Sequence, residues 1–105
     1  MNLKALLGTT SDGLLNISSP KFTEILGALR WTPKKTTSAF YLINYALVTY
    51  GDADVWFFIA RYNDLSEGIA PANSLIYVPE YQSLLNALQA AESSTVSTLG
   101  EEVII

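Results

Sequence analysis

Tyr50-Gly51-Asp52-Ala53-Asp54-Val55-Trp56-Phe57-Phe58-Ile59-Ala60-Arg61-Tyr62-Asn63 is the stretch whose reading decides the fold. Trp56, Ile59, Ala60 and Asn63 fall at i, i+3, i+4 and i+7, the spacing of one face of an α-helix. Gly51 can adopt the left-handed conformation that ends a helix. Asp52 can accept a hydrogen bond from the free N–H groups of the next helix. Asp54 lies in that helix's first turn, where the dipole favours a negative charge. Two short helices are therefore expected to meet at a tight turn.

Outward from this turn the chain becomes extended. Asp64 to Asn73 is rich in turn residues, and Ser74-Leu75-Ile76-Tyr77-Val78-Pro79 is β-prone and closed by proline. On the other side, Leu42, Ala46 and Tyr50 lie at i, i+4 and i+8, so a helix is expected from about residue 38 although Phe40-Tyr41-Leu42-Ile43 is strand-like in composition. Before it, Lys34-Lys35-Thr36-Thr37-Ser38 reads as a polar loop, and Ala28 to Thr32 as the first strand. The expected core joins Leu42, Ala46, Trp56, Ile59, Ala60, Asn63 and Ile76.

The tyrosine-glycine-aspartate turn, Trp56, Ile59-Ala60, Asn63 and a strand ending in Pro79 resemble the second half of a LysM domain. The closest likeness is to the LysM-like modules of small baseplate (wedge) proteins in contractile-tailed bacteriophages, over residues 37–79. The resemblance implies an α+β fold with a LysM-like β-α-α-β core. It also implies a structural role in a phage tail, through contacts with other tail or baseplate proteins, in a virion assembled in the host cytoplasm. A peptidoglycan- or glycan-binding LysM module is the alternative. In that case the groove would lie between the loop after the first strand and the loop after Asn63, carrying Lys35, Thr36, Leu65, Ser66 and Glu67. LysM domains usually place glycine-aspartate and then threonine or serine at the start of the first helix. Lys35-Thr36-Thr37-Ser38 departs from that, so glycan is not expected to bind.

The remaining sequence divides around this core. Residues 1–26 are expected to form an N-terminal arm with a short helix that begins at the Ser19-Pro20 start signal. Residues 27–79 form the LysM-like domain and 80–92 a flanking helix striped by Tyr81, Leu84, Leu85, Leu88 and Ala91. Residues 93–105 form a C-terminal tail. Both ends are expected to be extended arms ordered by other subunits. Leu14, Leu15 and Ile17 in the arm, and Val103, Ile104 and Ile105 in the tail, would be the partner-binding residues.

Composition narrows the chemistry. The chain of 105 residues is 50% hydrophobic and 15% charged, with neither cysteine nor histidine. That excludes disulfides, thiol and imidazole catalysis, and the usual zinc sites. No phosphate-binding loop is present. Asp52 and Asp54 sit where a helix start wants acids, so no catalytic, metal or cofactor site is assigned and the chain is read as a non-enzyme. Residues 1–61 carry six basic and four acidic residues, whereas 62–105 carry six acids and no base. The halves are thus +2 and −6, without the clustered positive charge of a nucleic-acid footprint. The first eight residues are too short an apolar run for a signal peptide, and no run approaches the roughly 18 residues of a membrane span.

Overall fold

The computed structural model describes the backbone of residues 1–104 and the side chains of residues 1–92. Helix α1 (Leu3–Leu7) and helix α2 (Pro20–Ala28) precede strand β1 (Trp31–Lys35). Strand β2 (Phe40–Tyr41) runs directly into helix α3 (Leu42–Tyr50), and a 3-10 turn (Ala53–Val55) leads into helix α4 (Trp56–Asn63). Strands β3 (Ile69–Ala70) and β4 (Leu75–Pro79) come next, then helix α5 (Tyr81–Ile104). The fold is mixed α and β. No described helix is long and apolar enough to cross a membrane.

Strands β1 and β4 pair antiparallel, with Trp31 opposite Pro79 and Lys35 opposite Leu75. A smaller antiparallel pair joins Phe40 to Ala70 and Tyr41 to Ile69. Helices α3 and α4 thus lie in the chain between two strands that meet each other. Lys34 and Lys35, expected in a loop, belong to β1, and Pro33 sits in mid-strand opposite Tyr77. The proline is tolerated because Tyr77 directs its N–H and C=O to Asn63, away from β1. Pro33 therefore replaces no donor that Tyr77 needs, as befits an edge strand.

The central turn forms as its residues dictate. Gly51 is left-handed at φ 78° and donates its N–H to the Leu47 carbonyl. Asp52 accepts from Asp54 N–H at 2.9 Å and also from Leu3 N–H at 3.0 Å. One carboxylate therefore caps the 3-10 turn and anchors the start of α1. Helix α3 begins at Leu42 rather than near residue 38, because Phe40 and Tyr41 pair with β3 and Leu42 N–H donates to the Gly68 carbonyl. Tyr50, ending α3, is buried and donates its hydroxyl to the Pro79 carbonyl at 2.7 Å. Burial pushes the phenol well above its ordinary range, with neighbouring Tyr45 adding to the effect, so it stays a neutral donor.

Two expectations are corrected by packing. The residues at the centre of the core here are Val55, which ends the 3-10 turn, and Phe58 and Ile59 of α4, each fully buried, while Trp56 and Ala60 are half-buried at the margin. The cause is α2, whose Phe22 stacks on Phe58 with ring centroids 4.6 Å apart. Helix α4 is thereby covered from a second side and its apolar centre shifts by one row. Leu42, Ala46, Ile59 and Ile76 are buried.

The N-terminal segment, expected to be an extended arm, instead packs on its own domain. Leu3, Leu7 and Leu15 are buried in the main core, α1 is capped by Asn2, and Thr9 bridges to Leu15. At the other end α5 continues past residue 92, so the backbone expected to be an extended tail is helical through Ile104. A helix already nucleated and packed on α2 through its first turns propagates at low cost even through Ser93 to Thr98. Among its described side chains Leu84, Ala87 and Ala91 are buried, with Gln82, Asn86, Gln89 and Glu92 exposed. The side chains of Val103 and Ile104, and all of Ile105, lie outside the described residues.

Candidate functional site

Asn63 is the pivot between α4 and the sheet. Its side-chain N–H groups donate to the Ile59 carbonyl at 2.8 Å and the Tyr77 carbonyl at 2.7 Å. Its side-chain oxygen accepts from Tyr77 N–H at 2.7 Å. The amide thus imitates a neighbouring strand, satisfying both backbone groups of Tyr77 on the edge of β4 and tethering the end of α4 there. Asn63→Ala is expected to cost about 2–3 kcal/mol, since three hydrogen bonds near 1 kcal/mol each are lost. Urea unfolding measures this. An unchanged midpoint would show that water replaces the amide at no cost.

After Asn63, Asp64 takes a left-handed conformation (φ 56°) and closes the helix. Leu65 N–H returns to the Ala60 carbonyl, turning Leu65 inward against the core. Gly68 has φ +71°, and a Cβ on it would stand 3.1 Å from the Trp56 ring. Glycine therefore lets the loop lie flat on the indole. A groove of about 650 Å³ runs beside it, lined by Ile17, Phe22, Leu26, Trp56, Phe57 and Leu65, with Arg61 and Asp64 among its polar residues.

The five residues of the expected glycan groove are not gathered into this groove. Leu65 and Ser66 line it, whereas Lys35, Thr36 and Glu67 do not. Lys35 is a strand residue paired with Leu75. Thr36 is buried, and its hydroxyl bonds the Pro71 and Ser74 carbonyls at 2.6 and 3.2 Å and accepts from Ser74 N–H at 2.9 Å. It pins the loop before β4 and is consumed by that task. Among the expected partner contacts, Leu14 and Ile17 are exposed but Leu15 is 2% exposed and belongs to the core. Adjacent residues of a bridged strand point to opposite sides, and the sequence alone did not say which side faced in.

Two apolar surfaces were not expected. On the outward side of the β1–β4 pair, Trp31 stacks on Tyr62 at 3.9 Å, Tyr62 meets Tyr77 edge-on at 5.9 Å, and Leu75 is exposed beside them in the strand. On α3, Ile43, Leu47 and Val48 are exposed, continuous along the chain with Tyr41 and, through β2–β3 pairing, with Ile69. In the sequence α3 is apolar on more than one side, which hints at cover from several directions but gives no phase for its outward row.

Burial raises the Asp54 carboxyl above its usual range, partly opposed by Lys4 at 3.8 Å. Among the described residues no three potential metal ligands cluster, and no buried side-chain polar atom lacks a partner. No protein-family model, curated protein or solved structure matches the chain.

Proposed function

We propose that this chain is a structural subunit of a contractile phage tail, a baseplate component whose LysM-like β1-α3-α4-β4 unit serves protein–protein assembly in the virion. The observation that carries the reading is apolar exposure on three parts of one small domain. Leu14 and Ile17 lie in the N-terminal segment, Tyr62, Tyr77 and Leu75 on the outward side of the sheet, and Ile43, Leu47 and Val48 on α3. Contiguous exposed apolar surface marks interaction sites, and several such areas suit a subunit surrounded by neighbours. The antiparallel β1–β4 pair closed over two intervening helices, with Asn63 tying α4 to β4, supports the LysM-like part of the reading.

The test is assembly. A contractile-tailed phage that encodes the protein is expected to build no complete baseplate when the gene is deleted. Wild-type protein should restore assembly, whereas the double variant Tyr62→Asp/Leu75→Asp, folded but altered on the sheet face, should not. Complete baseplates without the protein would overturn the reading.

Glycan binding separates this function from its alternative. Chitin and peptidoglycan fragments at millimolar concentration are expected to leave the amide NMR spectrum unchanged, because Thr36 is engaged internally and Lys35 is held in β1. Saturable shifts weakened by Lys35→Ala or Glu67→Ala would favour the glycan-binding module.

A further inference from the structure

Helix α3 differs from the other long helices of the described structure in what it shows to water. The exposed positions of α2 include Thr23 and Glu24, and those of α5 include Gln82, Asn86, Gln89 and Glu92. The exposed positions of α3 are Ile43, Asn44, Leu47, Val48 and Thr49, and the helix holds no charged residue. Val48 is 86% exposed and Leu47 54%. β-branched residues such as Ile43, Val48 and Thr49 also weaken a helix relative to alanine, lysine or glutamate, so helix propensity does not account for this face.

We infer that the α3 face, extended by Tyr41 and Ile69, is where a second copy of this chain docks. The inference rests on the reading of the chain as an assembly subunit and names the occupant of one of its surfaces. Two features favour a second copy. The chain carries a net charge of −4, so two copies repel, and an interface between them is best placed on a face free of charge. Each group on this face is also compatible with its own duplicate: the side chains are apolar, or are both donor and acceptor, as are the Asn44 amide and the Tyr41 hydroxyl. Such a surface can meet its own copy about a twofold axis, the commonest arrangement of soluble homo-oligomers. The five apolar side chains expose on the order of 500 Å² per copy, near the upper range for monomer patches. Doubled, that approaches the roughly 1,200 Å² at the lower end of specific interfaces, which fits a micromolar dimer.

Sedimentation velocity of the full chain between about 5 and 500 μM tests this, with the mass expected to rise towards twice the monomer. Leu47→Asp and Val48→Asp should each weaken association at least tenfold while leaving the melting curve intact, since both positions are exposed. Because the chain has no cysteine, single-cysteine variants report the contact directly. Val48→Cys should form an intermolecular disulfide under mild oxidation, and Gln82→Cys on α5 should not. A chain that stays monomeric to 500 μM, or a dimer insensitive to Leu47→Asp, overturns the inference. The assembly reading fails separately, if baseplates form without the protein, whatever its state in solution.

Discussion

Removing residues 1–18 is expected to unfold the protein. Leu3, Leu7 and Leu15 are each at most 5% exposed and share the core with Phe22, Phe58 and Ile59. Burial of a leucine side chain is worth roughly 1.5–3 kcal/mol, so the three contribute about 5–9 kcal/mol, an amount comparable with the roughly 5–15 kcal/mol net stability of a whole domain. The deletion also leaves Asp52 without the Leu3 N–H that it accepts at 3.0 Å. Circular dichroism on heating should show no cooperative transition near that of the intact chain. Point variants separate packing from chain length. Leu15→Ala should cost about 2–5 kcal/mol, whereas Leu14→Ala, at an exposed neighbour, should change stability by less than about 0.5 kcal/mol. A truncated protein that melts near the wild-type temperature would show that the segment is a dispensable arm.

Phe58→Ala should be the most damaging single substitution on α4, at about 3–5 kcal/mol, as for large core truncations. Phe58 is fully buried and its ring lies over Phe22 at 4.6 Å with an interplanar angle of 14°. Trp56→Ala should cost less, about 1–3 kcal/mol, because the indole is half-buried and much of its contact is with the Gly68 loop and Phe57. The order of the two losses, read from urea midpoints, distinguishes the observed register of α4 from one centred on Trp56. A larger loss at Trp56 would place the core one row over. A double-mutant cycle between Phe22 and Phe58 should return a coupling of about 0.5–1.5 kcal/mol, the range for stacked aromatic pairs, and thereby measure how much α2 adds to the helix pair.

The residues of the candidate surfaces are partly visible in the sequence. Leu14 and Ile17 stand out as surplus apolar groups, and they are exposed. Ile43, Leu47 and Val48 do not stand out, since a short helix apolar on every side gives no phase from which to choose the outward row. Lys35 reads as a loop residue because Lys34-Lys35-Thr36-Thr37-Ser38 is polar throughout. The strand continues through Pro33 because the partner across it turns its polar groups the other way, a property of Asn63 and Tyr77 far along the chain.

Unaided, the amino-acid sequence decides the events that lie within one or two turns of backbone. Gly51 ends α3, Asp52 caps the 3-10 turn, Ser19-Pro20 opens α2, and the last strand closes at Pro79. Each depends on the conformation or hydrogen bond of a residue with its near neighbours, so the local free energy is enough. Long-range packing alone selects which of two adjacent apolar rows of α4 lies deepest, turns Leu15 and not Leu14 inward, and leaves an apolar face of α3 uncovered. In those cases the local energies of the alternatives are nearly equal. The choice is made by the area buried when a distant segment, α2 on Phe58 or α1 on the Asp52 turn, closes over one of them.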